Sequence, residues 1–192
     1  MIAIIKYNAG NIRSVENALN RIGYDCIVTD DHEAIKKADK VILPGVGEAS
    51  TAMEYLKSKK LDSLLKSLKQ PVLGICLGQQ LMCNYSEEGN TTCMGIFETQ
   101  VKLFPPKELV PQMGWNSLSK MKGDLFRGLS EKDDVYFVHS YYAELCEGTA
   151  AVCDYIMPFS AALQKNNFYA TQFHPEKSGK VGEIILKNFL SL

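Results

Sequence analysis

Along the first half of the chain the apolar positions alternate between two periods. Ile2 to Lys6 is a short, nearly unbroken apolar run, and from Asn11 to Ile22 apolar residues return every three or four positions, as on one face of a helix. Gly23 follows as a helix terminator and Tyr24 to Val28 reads as the next strand. A short helix near His32 to Ala38 leads to the strand Lys40 to Pro44. One long helical stretch, about Ser50 to Leu68, leads to the strand Gln70 to Ile75, and Leu77 to Asn84 reads as helix again. This alternation predicts an α/β fold with a mostly parallel central sheet and flanking helices. In the second half the pattern changes. Met94 to Phe104, Asp134 to Ala143, Val152 to Gln164 and Asn167 to Phe173 read as strands joined by loops carrying Pro, Gly and Ser, and Gly182 to Leu192 as a closing amphipathic helix. Additional mixed or antiparallel strands are expected there. Without repeats or linkers, residues 1–192 are expected to form a single domain.

Composition narrows the function classes. A net charge of −1 gives no electrostatic case for nucleic acid or an acidic membrane surface. No apolar run approaches the roughly 20 residues of a membrane helix, and Met1 to Lys6 reads as a first strand instead of a signal peptide. The six cysteines (Cys26, Cys76, Cys83, Cys93, Cys146 and Cys153) form no C-x-x-C, and the three histidines lack ligand spacing. Disulfides, metal and cofactor are therefore not expected, and reduced thiols in the cytoplasm are.

One cysteine stands apart. In Gly74-Ile-Cys-Leu-Gly-Gln-Gln80, Cys76 sits where a strand turns into a helix, with a glycine two places before it and another two places after. Such a turn lifts the side chain into the open, and the positive end of the helix favours thiolate over thiol. A nucleophile needs a base. His32, among Asp30, Asp31 and Glu33, reads as solvated surface, and His139, in mid-strand, as a packed core residue. His174 ends an apolar strand, and Pro175 breaks regular structure there. Glu176, two residues on, is placed to accept the imidazole N–H. Cys76, His174 and Glu176 are thus a candidate triad. Pro44-Gly-Val-Gly47, at another strand end, is the candidate oxyanion loop: Gly45, Val46 and Gly47 supply backbone N–H groups, with the Leu77 N–H as a further donor.

These segments resemble the class I, triad-type glutamine amidotransferases, whose G-x-C-x-G-x-Q and H-P-E patterns are matched by Gly74 to Gln80 and by His174 to Glu176. Within that family, Tyr7-Asn-Ala-Gly-Asn-Ile-Arg-Ser14, Pro44-Gly-Val-Gly47, Ser86-Glu-Glu-Gly89, Met113-Gly-Trp-Asn116, Tyr136-Phe-Val-His-Ser-Tyr141 and Gln172-Phe-His-Pro-Glu-Lys177 follow the order of the glutaminase subunits of imidazole glycerol phosphate synthase. The resemblance implies glutamine hydrolysis through a thioester, with ammonia passing to a cyclase subunit of (β/α)8-barrel fold in a heterodimer that serves histidine biosynthesis. It implies that Gln80 and Glu88 hold the amino-acid end of glutamine, helped by backbone near Ser140 and Tyr141. Asn11, Arg13, Trp115, Asn116, Tyr136 and Lys177 would face the partner and the ammonia passage. The sequence departs from the family's Asp-Tyr-Gly at Lys6-Tyr-Asn8, away from the triad, which puts the N-terminal contact with the partner in doubt. A paralogue feeding another synthase, such as one amidating a surface-polysaccharide sugar, stays open. So do a regulatory module without turnover and a cysteine peptidase of similar fold, which the retained triad and the Met-Gly-Trp-Asn segment respectively disfavour.

Overall fold

The computed structural model describes residues 1–8 and 10–192, so Ala9 of the Tyr7–Ser14 segment lies outside the described residues. The first half runs β1 (Ile2–Ile5), α1 (Ile12–Arg21), β2 (Cys26–Thr29), α2 (His32–Lys37), β3 (Lys40–Leu43), α3 (Ala49–Ser58), α4 (Leu61–Ser67), β4 (Val72–Ile75) and α5 (Leu77–Met82). The second half holds β5 (Tyr85–Ser86), β6 (Thr91–Thr92), β7 (Gln100–Leu103), β8 (Gln112–Ser117), β9 (Asp134–His139), β10 (Tyr141–Ala143), β11 (Thr149–Asp154), β12 (Pro158–Lys165), β13 (Phe168–Thr171) and α6 (Gly179–Leu190).

A seven-stranded sheet in the order β11-β12-β13-β4-β3-β1-β2 forms the centre. β13, β4, β3, β1 and β2 run parallel, and β12 and β11 add antiparallel strands at one edge. Because helices and loops cover both faces, the central strands are apolar on both sides. Side chains alternate between two cores: Ala3, Ile5, Val41 and Leu43 join one, and Ile2, Ile4 and Ile42 the other. The order places β3, β4 and β13 side by side. Their carboxyl ends therefore bring Pro44–Gly47, Cys76 and His174 into one row, the edge at which open α/β sheets bind ligands.

The α/β class and mixed second half agree with the pattern of the chain, while several boundaries differ. The expected helix from Ser50 to Leu68 is two helices. Leu56 and Leu61 are both buried, yet five residues on one helix would set them about 140° apart. Lys60, at φ 56°, re-phases the chain. Residues 94–97 are not strand, since the N–H groups of Met94, Gly95, Ile96 and Phe97 return to the carbonyls of Leu81, Met82 and Cys83 and satisfy the open end of α5. Asp134 to Ala143 breaks at Ser140, with β9 pairing β8 and β10 pairing β7 in another sheet. His139 accordingly ends a strand instead of lying within one. Met113-Gly-Trp-Asn116 lies inside β8, which was not expected. Val152 to Gln164 resolves into a hairpin of β11 and β12.

Candidate active site

Two glycines shape the nucleophile's turn, through their missing side chains and not through unusual dihedrals. A Cβ on Gly74 would lie 2.8 Å from the carbonyl carbon and oxygen of Gly78, and one on Gly78 would lie 2.0 Å from the Leu43 carbonyl oxygen. Their absence lets α5 press against β4 and the end of β3. The left-handed residue is Cys76 itself, at φ 52° and ψ −106°, a conformation costing about 1–3 kcal/mol that surrounding packing must hold. The Cys76 N–H donates to Thr171 O at 2.7 Å, tying the elbow to β13.

His174 follows three residues beyond β13 and is fully buried, its N–H donating to Tyr136 O at 2.9 Å. Its Nδ1 lies 2.7 Å from Glu176 Oε1, and the Asn11 carboxamide donates to that same oxygen. Burial pushes the imidazole down. The Cys76 sulfur and the Glu176 carboxylate, as bonding partners and as charges, outweigh burial and raise it from the usual 6.5 to about 10. Nε2 is buried and meets no directed hydrogen bond in this arrangement, so the contact with Glu176 is the formed one and the sulfur acts by proximity. Tertiary structure thus brings together the three residues of the candidate triad.

On the other side of Cys76 the loop is less ready. The Leu77 N–H, expected as an oxyanion donor, donates to Gly45 O at 3.3 Å. Tyr7 donates its hydroxyl to Pro44 O, and a Cβ on Gly45 would lie 2.2 Å from that hydroxyl oxygen, so a side chain there would have to displace the Tyr7 hydroxyl. Burial, helped by the charge of Cys76, pushes the Tyr7 hydroxyl well above its usual 10, which keeps it a donor. The Gly10 N–H reaches Val46 O at 3.2 Å.

A cavity of about 170 Å³ opens beside the sulfur, lined by Val46, Gly47, Cys76, Leu77, Gln80, Glu88, Val138, His139, Ser140 and Tyr141. Larger hollows elsewhere contain neither Cys76 nor a histidine. Glu88 is half-buried there; burial pushes its carboxyl up, while Oε2 accepts from the Ala49 N–H at 2.8 Å. Gln80, expected to hold substrate, has its amide nitrogen committed to Tyr141 O and Gln172 Oε1, both at 3.0 Å. The Ser140 carbonyl takes the Phe104 N–H. His139 lies in the wall of the cavity, its Nδ1 2.7 Å from Tyr141 O and its Nε2 2.9 Å from Gln112 Oε1. Burial lowers it to about 4.

The expected partner-facing residues divide. Arg13, Trp115 and Lys177 are exposed, and Tyr136 packs edge-on against Trp115 with ring centroids 5.8 Å apart. Asn116 donates locally to Asp154 O. Asn11 turns inward to Glu176. Gln172 was not singled out, although it stands two residues before His174, so an extended chain points both side chains the same way. Among the described residues no cluster of His, Cys, Asp and Glu is arranged to hold a metal ion, all six cysteines are free, and no helix is long and apolar enough to cross a membrane.

The sequence model of the family "Glutamine amidotransferase class-I" matches residues 3–192. The imidazole glycerol phosphate synthase subunit HisH of Bacteroides fragilis is 63% identical over 100% of this chain and 99% of its own length. The protein of the same name from Pasteurella multocida is 47% identical over 98% and 96%. Among solved structures, a putative GMP synthase subunit from Thermoplasma acidophilum superposes with a TM-score of 0.74 at 22% identity, covering 100% of this chain and 92% of that one, a likeness of fold. The match over almost the whole length, joined to the elbow and the histidine beside it, makes this chain a member of the class-I glutamine amidotransferase family.

Proposed function

We propose that the chain is the glutaminase subunit of imidazole glycerol phosphate synthase, acting in the cytoplasm in histidine biosynthesis as one amidotransferase domain. The full-length identity of 63% to a subunit of that name carries the choice of synthase over a paralogous one. The adjacency of Cys76, His174 and Glu176 just beyond the carboxyl ends of neighbouring parallel strands supports the chemistry. The Cys76 thiolate attacks the side-chain carbonyl of glutamine, and negative charge moves to the carbonyl oxygen. Protonated His174 gives its proton to the departing nitrogen as the C–N bond breaks, releasing ammonia. His174 then takes a proton from water, whose oxygen displaces the sulfur from the thioester and leaves glutamate. Glu176 holds the ring in place and balances its charge. Glu88, in the cavity wall, suits the substrate's ammonium group.

Ammonia leaves for a separate cyclase subunit of (β/α)8-barrel fold, docked over the exposed Trp115, Arg13 and Lys177 with Tyr136 beside them. With the Leu77 N–H held by Gly45, the oxyanion side awaits rearrangement, so the isolated chain turns over slowly. In the heterodimer Cys76→Ala should abolish synthesis from glutamine and leave synthesis from ammonium salts intact. Loss of both activities in a complex that still assembles would reject the division of labour.

A further inference from the structure

The carboxamide of Gln172 lies against the nucleophile. Its Nε2 is 3.6 Å from Cys76 Sγ, and its Oε1 accepts from Gln80 Nε2 at 3.0 Å. Gln172 is fully buried, and its backbone N–H is spent on Ala161 O at 2.8 Å. The network also determines which end of the amide faces the sulfur. Tyr141 O only accepts, so the Gln80 atom 3.0 Å from it must be nitrogen. That same nitrogen reaches Gln172, which must answer with its oxygen. What remains toward the sulfur is an N–H donor.

A donor in that place acts chiefly on one state of the sulfur. A thiolate accepts a hydrogen bond strongly and a thiol weakly, and the difference grows where water is excluded. No lysine or arginine lines the cavity among the described residues, so the cation beside the sulfur is the His174 imidazolium, and the Gln172 N–H adds a separate, neutral donor. We propose that Gln172 is a catalytic residue of the glutaminase reaction, its side-chain N–H holding the Cys76 thiolate, and that Gln80 is the positioning residue that aims it. No proton is transferred by Gln172. Charge leaves the sulfur as the C–S bond forms and returns when water cleaves the thioester, and the N–H meets it in both resting states. Nucleophilicity falls by less than the gain in thiolate population, so the contact favours reaction at neutral pH.

This inference rests on Cys76 being the nucleophile. It is tested by alkylating the intact heterodimer with iodoacetamide and following the Cys76 peptide by mass spectrometry across the neutral to alkaline range. Gln172→Met keeps the volume and removes the donor. Gln172→Asn keeps an amide but withdraws it, and covers failure of the first variant to fold. For both, Cys76 should react about tenfold more slowly at neutral pH and catch up with wild type at high pH. Gln80→Met should slow the reaction less, and adding it to Gln172→Met should slow it no further. Slowing by the same factor at every pH would mean altered access or packing, and an unchanged profile would mean no role; either overturns the proposal. If alkylated wild-type protein still hydrolyses glutamine, it is the nucleophile assignment that fails.

Discussion

The two flanks of Cys76 are built differently. On the β13 side, the candidate nucleophile, base and orienting carboxylate are buried together, His174 is bonded to Glu176, and strand pairing from Phe168 to Thr171 against Val72 to Ile75 backs them. On the β3 side, Pro44–Gly47 is held by a few separate contacts: the Tyr7 hydroxyl on Pro44, the Gly10 N–H on Val46, and the Leu77 N–H on Gly45. Each such bond is worth about 0.5–1.5 kcal/mol net. A partner subunit can exchange contacts of that size, whereas reorganising the β13 side would mean unpairing the sheet. The arrangement keeps the candidate triad assembled and leaves the candidate oxyanion loop as the adjustable part.

The largest break is expected on the rigid flank. Gly78→Ala drives a Cβ to 2.0 Å from the Leu43 carbonyl oxygen, a backbone atom that cannot swing aside, so β3 and α5 must separate. A loss of about 3 kcal/mol or more, seen by calorimetry as a fall of roughly 10 °C in Tm, is the expected outcome. A Tm within a degree or two of wild type would show that the elbow is loosely packed.

Acid titration probes the cavity wall that His139 builds. In the folded protein its imidazole is lowered to about 4 from the usual 6.5 by burial. Between those values the unfolded chain binds the extra proton, so this contribution is complete above 6.5 and is lost as pH falls toward about 4, for roughly 3 kcal/mol. His174 runs the opposite way: raised to about 10, it contributes fully below 6.5 and loses its share as pH climbs toward that value. NMR titration of the ring resonances should show the two histidines leaving 6.5 in opposite directions. A His139 ring that titrates near 6.5 would place water or an acidic partner in that wall.

The smallest effect belongs to the loop. Tyr7→Phe removes the hydroxyl from Pro44 O and should raise glutamine hydrolysis by the isolated chain a few-fold, within the worth of one hydrogen bond. The rate in the activated heterodimer should stay nearly unchanged. A fall in both rates would make Tyr7 a support of the active loop instead of a restraint on the resting one.

Much of the candidate site was legible in the chain because its geometry is local. Gly74 and Gly78 flank Cys76 at the spacing a tight strand-to-helix turn requires, and Glu176 stands within reach of His174 two residues away. What was not legible depends on who meets whom. Nothing in the sequence shows that the Gln80 amide nitrogen is engaged by Tyr141 O and Gln172. The Leu77 N–H reads as an oxyanion donor until Gly45 takes it. The break at Lys60 was hidden because both halves carry apolar residues at helical spacing, and only the joint phase of Leu56 and Leu61 betrays it.

By itself, the order of apolar runs, glycines and the cysteine determined an α/β chain with a candidate nucleophile at the end of one strand and a candidate base just past the end of another. Periodicity and turn chemistry report local geometry and burial, which a few neighbouring residues dictate. Only the tertiary structure decided that β13 inserts beside β4, bringing Thr171 next to Ile75 and Gln172 onto the sulfur of Cys76 across 96 residues of chain. That neighbourhood is set by how the whole sheet closes and buries its two cores, a global balance that no single segment encodes.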